Sequence, residues 1–119
     1  MPHVLLEGPI SLEEFYRSFE PLRGGKPGEV LKANYLFIEK GGKRALLESV
    51  AVEEGRHQSF FIELLQRKGG LTVRLLPATD PEKTPGVKRL LALVARRLKS
   101  LSPGCRYGKN NIQSFLEED

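Results

Sequence analysis

Apolar and polar positions follow two different rhythms along this chain. His3–Glu7, "HVLLE", is a short apolar run that predicts a strand. The period then changes. Leu12, Phe15, Tyr16, Phe19 and Leu22 recur at the three- and four-residue spacing of a single helical stripe. Ser11 and Glu14 form an S-x-x-E capping box, and Ile10 and Phe15 occupy the positions of a hydrophobic staple. Such a cap is worth about 1 kcal/mol. Pro21 and the following "RGGKPG" end the helix.

From Val30 to Pro77 the pattern is that of a strand meander. Gly41-Gly42 separates two β-rich runs and predicts a hairpin that pairs Phe37 with Leu46, Ala33 with Val50 and Leu31 with Val52. Gly69-Gly70 predicts a second hairpin, with Leu64 opposite Leu75 and Gln66 opposite Val73. "EEGR", Glu53 to Arg56, makes the turn between them. An odd-length loop there would put Phe60, Ile62 and Leu64 on the face of Phe37 and Leu46; an even one would put Phe61, Glu63 and Leu65 there. The odd loop gathers more large apolar residues on one face, and register follows the buried face.

"ATDPEKTPG" is a loop rich in turn residues, and "VKRLLALVARRLKSL" returns to helical spacing. Thr84 is placed to cap this helix with Pro85 at its first position. Val87, Leu90, Leu91, Val94, Leu98 and Leu101 form its apolar stripe, and Ser102-Pro103-Gly104 stops it. Residues 105–119 read as an irregular C-terminal tail to a single domain spanning 1–104. The expected fold is therefore α+β, in the order β-α-β-β-β-β-α, with two helices packed on one face of an antiparallel sheet. That order resembles the TATA-binding-protein-like folds in topology alone, with no shared motif, and so implies no activity.

With the odd loop, the sheet face away from the helices carries Leu36, Ile38, Leu47, Phe61, Leu65 and Leu76. Such a face is too apolar for free solvation. Three occupants compete for it: the tail, through Ile112, Phe115 and Leu116; a second copy of the chain; or a ligand or nucleic acid met by Lys32, Asn34 and Arg74. A homodimer packed sheet to sheet is the leading expectation.

Composition narrows the class. Hydrophobic residues make up 39% and charged residues 29%, as in an ordinary globule, and few Asn, Gln, Met or Cys resembles thermophilic usage. No apolar run reaches a membrane span, the N-terminus lacks the marks of a signal peptide, and one cysteine forbids an internal disulfide. These features lead to the expectation of a cytoplasmic protein without membrane contact. The net charge of +4 is regional: Lys83 to Lys109 holds eight Lys or Arg and no acid, whereas Glu117, Glu118 and Asp119 close the chain. On the helical wheel Lys88, Arg89, Arg96 and Lys99 lie away from the apolar stripe, continued by Arg106 and Lys109 as a candidate anion-binding ridge. Its helical part spans about 18 Å, a length suited to tracking a phosphate backbone. Tyr107 is the one aromatic available for stacking there.

Catalytic chemistry finds less support. His3 and His57 stand apart, without ligand-like spacing, and no cofactor or metal motif is present. Cys105, between Arg106 and Ser102-Pro103-Gly104, could be a thiolate nucleophile. The C-x₅-R spacing of cysteine phosphatase loops fails, because position 111 is Asn. "GGKPG" at 24–28 matches no phosphate-loop pattern. The "TPG" that opens the second helix could offer backbone N–H groups to an anion. The sequence thus leads to a non-enzymatic domain that self-associates, with nucleic-acid or polyanion binding through the 83–109 surface as the alternative.

Overall fold

Between Leu22 and Leu75 the chain runs as consecutive antiparallel hairpins. These are β2 (Leu22–Gly24), β3 (Glu29–Ile38), β4 (Arg44–Glu53), β5 (Arg56–Arg67) and β6 (Gly70–Leu75). The structure is a computed structural model and describes residues 1–118; Asp119 lies outside the described residues. Strand β1 (His3–Glu7) inserts beside β6, and β7 (Arg106–Asn110) closes the far edge, giving the order β2-β3-β4-β5-β6-β1-β7. Every pairing is antiparallel. The helices are α1 (Leu12–Arg17), α2 (Pro85–Leu101) and α3 (Gln113–Leu116). The α+β class with an antiparallel sheet stands, but the element order is longer than expected, by β2, β7 and α3.

Local signals explain the helix starts. The Ser11 hydroxyl accepts the Glu14 N–H at 3.2 Å, and Phe15 is buried at the staple position. Helix α1 stops at Arg17, earlier than its stripe implies. Pro21 lacks an N–H and pushes its predecessor out of helical geometry, so Leu22 joins β2 instead. Thr84 caps α2, its hydroxyl accepting the Val87 N–H at 3.3 Å. The Glu53 carboxylate at the end of β4 also reaches this helix start, accepting the Gly86 N–H at 2.8 Å and the Thr84 hydroxyl at 2.5 Å. A side chain at position 86 would displace the Glu53 carboxylate, so glycine there preserves this second cap.

The turn between β4 and β5 corrects the expected register. It has two residues, Glu54 and Gly55, with φ of 50° and 80°, and pairs Glu53 with Arg56. This is the mirror-image turn that matches strand twist, and it makes the loop even. Leu47 therefore lies opposite Ile62 and Ala45 opposite Leu64. Phe37 does pair with Leu46, but a bulge between Ala33 and Tyr35 moves Leu31 and Ala33 to the other face. The second hairpin turns at Lys68-Gly69, one residue earlier than expected, so each partner shifts by two, with Leu64 opposite Val73, which preserves the faces.

One row, Leu36–Leu47–Ile62–Leu75, thus crosses four strands beneath α2. Leu47 is fully buried, and Leu36 and Ile38 pack against the same core. These three are helix-side residues, contrary to their expected place on the free face. Phe61, Leu65 and Leu76 keep the opposite side by alternation.

The expected tail is part of the domain. Strand β7 pairs with β1, and Cys105, Ile112 and Leu116 belong to the buried core. Asn111 fastens the chain start: its side-chain oxygen accepts the His3 N–H at 2.9 Å, and its amide donates to the Met1 carbonyl at 2.8 Å. Helix α3 packs on α2, so Ile112, Phe115 and Leu116 do not cover the open sheet face.

The two faces make opposite predictions for stability. Leu47→Ala should cost about 3 kcal/mol, because it leaves a cavity under α2. Phe37→Ala should change stability by less than about 1 kcal/mol, because the ring is largely in solvent. Urea denaturation of both variants checks this; a reversed ranking would show that the faces are exchanged.

Candidate functional site

The basic segment spends most of its charge inside the domain. Arg89 is only 12% exposed; it pairs with Glu29 of β3 and donates to Glu118 at 2.8 Å. Its guanidinium lies 5.5 Å from the Phe115 ring centroid. The Glu118 hydrogen bond raises the Arg89 pKa; burial opposes that rise and Glu29 supports it. Hydrogen bonding to Arg89 likewise holds the Glu118 carboxyl below its ordinary value. Arg96 donates to the Phe115 carbonyl at 2.7 Å, and Lys99 sits 5.8 Å from the centroid of Tyr107. Arg106 pairs with Glu7 at 3.0 Å.

Of the six expected ridge residues, only Lys88 and Lys109 have no ion pair, side-chain hydrogen bond or aromatic partner among the described residues. The others bind the C-terminal segment to the sheet. The signal that could have revealed this is the acidic end of the chain: Glu118 lies within reach of the one basic helix. The anion site expected at "TPG" is likewise taken up by Glu53.

Cys105 is buried, 4% exposed, against the Gly8 backbone. A thiol enclosed in this way lacks the partial exposure that reactive cysteines have. Tyr107 shares that buried corner, and burial raises its pKa. His3 begins β1 and His57 is the second residue of β5. Among the described residues no three His, Cys, Asp or Glu side chains group as metal ligands. No described helix is long and apolar enough to cross a membrane.

The open sheet face presents the largest unexplained surface. Its residues follow from the register in rows across β3, β4 and β5: Val30–Val52–His57, Lys32–Val50–Ser59, Tyr35–Glu48–Phe61 and Phe37–Leu46–Glu63. Tyr35 is 61% exposed, Phe37 56% and Val30 41%. Within these three strands, between the Phe37 row and the Val30 end, the only charged side chains are Lys32 and Glu48, and Arg23 of β2 flanks Lys32 at the edge of the face.

The last row continues through Arg74 and His3. Glu63 is the exception on this face, its side chain 2% exposed beneath two arginines. Arg74 donates its Nε–H to one carboxylate oxygen at 2.7 Å, and Arg44 donates to the other. Burial pushes the Glu63 carboxyl up, but the Arg74 and Arg44 hydrogen bonds and charges outweigh it and hold the pKa below the ordinary value. No local pattern announces this cluster, because Arg44, Glu63 and Arg74 meet only through strand register.

A carboxylate with a lowered folded-state pKa adds stability above its unfolded-state pKa and loses it as pH falls through the folded one. Glu63→Gln should therefore cost about 2 kcal/mol near neutral pH. The gap from the unaltered protein should begin to narrow as pH falls below roughly 4, the ordinary carboxylate value, and close once pH has passed the lowered native pKa, where the native carboxyl is neutral too. Thermal melts across that range would show it; a gap independent of pH would mean that the charge of Glu63 contributes nothing.

Comparison with known proteins adds no relative: no family model, no curated protein and no solved structure matches this chain.

Proposed function

We propose that the chain is a non-enzymatic domain that self-associates, two copies packing their open sheet faces together about a twofold axis. The observation that carries this reading is the exposure of Tyr35, Phe37 and Val30 on a face where Leu46, Val50, Val52 and Phe61 extend the apolar field. Monomers seldom leave so much contiguous apolar surface in water. Over the length that β3, β4 and β5 share, the face measures roughly 33 by 15 Å, so a pair of faces would bury on the order of 1,000 Å². That is the lower bound for a specific interface. The field carries one cation, Lys32, and one anion, Glu48, so a twofold arrangement can set each against the other across the contact.

Nucleic-acid or polyanion binding through residues 83–109 has less behind it. A backbone-tracking surface needs several free cations in line. Arg89 and Arg106 are held by carboxylates, and Arg96 by a backbone carbonyl. The open face offers only Lys32 and the neighbouring Arg23 at its β2 edge, with Glu48 opposing them, too few to replace them, although its aromatics could stack bases.

Sedimentation velocity over a concentration series tests the reading. The expected result is a dimer that Phe37→Lys converts to a folded monomer, while Lys88→Glu on the helix side leaves it dimeric. A protein that stays monomeric at about 100 μM, corresponding to an affinity weaker than that of most functional dimers, would overturn it.

A further inference from the structure

The open face changes character at its β7 end. Here a cavity of about 700 Å³ lies over β1 and β6 and the turn that leads into β6. Arg67, Lys68 and Arg106 line it, with one carboxylate, Glu7, among them. Its floor is Leu5, Thr72 and Gly70. Position 70 must lack a side chain, since a Cβ would run into the Leu6 carbonyl, and the sheet surface is recessed there as a result.

The cations around this recess are sparingly used. Arg67 reaches only the Thr72 hydroxyl, at 3.4 Å, and Lys68 has no ion-pair partner among the described residues. Arg106 gives one Nη2 contact to Glu7, leaving the rest of its fork of N–H donors open. Three positive charges thus converge on a compact space against one negative charge already paired. Two more arginines, Arg44 and Arg74, stand on neighbouring rows with their Nε atoms turned to Glu63.

We propose that this cavity binds a small phosphorylated molecule. The phosphate sits among Arg67, Lys68 and Arg106, and the organic part rests on Leu5. Arginine forks match the oxygens of a phosphate, and lysine adds a point charge. The hydroxyl of Thr72 offers a further donor. The grouping is compact and concave, which suits one phosphoryl group with its substituent better than an extended polymer. This site is separate from the apolar field between Val30 and Phe37 and does not depend on self-association.

Phenyl phosphate and pyrophosphate are the probes, titrated at constant ionic strength while the amide resonances are followed by NMR. The proposal expects saturable shifts at Leu5, Gly69, Gly70 and Thr72, with phenyl phosphate also moving the Leu5 methyls. Arg67→Ala combined with Lys68→Ala should weaken binding by at least about tenfold, since two charge-assisted contacts are lost. Both residues are exposed in or beside a turn, and the spectrum itself reports whether the variant is folded. Lys88→Ala with Lys109→Ala should leave binding unchanged. The absence of saturable shifts at 10 mM probe would overturn the proposal. Equal weakening by the two double variants would also overturn it, because the effect would then come from general charge.

Discussion

Glu54 and Gly55 both take positive φ, and this two-residue turn decides what the rest of the sheet buries. Side chains alternate at every residue, so one extra residue between β4 and β5 would rotate every later strand onto its other face. With the tight turn, Leu47 meets Ile62 and Ala45 meets Leu64, and the row beneath α2 is continuous. The bulge beside Asn34 completes the arrangement by turning Leu31 and Ala33 inward as well. Phe37 and Tyr35 are left in solvent as a consequence of that choice.

Charge in this protein is used first to hold the domain together. Glu53 terminates β4 and caps α2, so a single carboxylate couples a strand end to a helix start. Arg89 joins α2 to β3 and to the C-terminal segment through Glu29 and Glu118. Glu63 lies under Arg44 and Arg74, where an unpaired carboxylate would be costly. These groups give a strongly charged chain a neutralised interior. Of the cations without a carboxylate partner among the described residues, Arg67 and Lys68 line the cavity at the β7 end.

The open face therefore divides into two regions of different physics. Between Val30 and Phe37 it is apolar with balanced charge, which suits another sheet. Around Gly70 it is recessed and positive, which suits a phosphate. The second region depends on β1 lying between β6 and β7, because Leu5 and Glu7 complete the face there. The stretch Cys105–Asn111, which looks like a loop with an odd cysteine, supplies the strand and the asparagine that lock β1 in place.

Much of the fold was legible because its signals are local. The capping box at Ser11, the Thr84-Pro85 start of α2 and the hairpin that sets Phe37 opposite Leu46 depend on neighbours a few residues apart. Strand β7 was not legible, because "RYGKN" has no apolar rhythm and becomes a strand only beside β1. The candidate surfaces were least legible. Of the six residues expected on the open face, Leu36, Ile38 and Leu47 lie on the helix side instead, and the expected ridge concealed the ion pairs of Arg89. The α+β class, the helix starts and the meander follow from local order along the chain, since backbone propensity and capping act over short distances. Which sheet face is buried, and which cations are free, is settled by the folded molecule. Both depend on turn geometry and pairings between distant residues, which composition and periodicity leave degenerate.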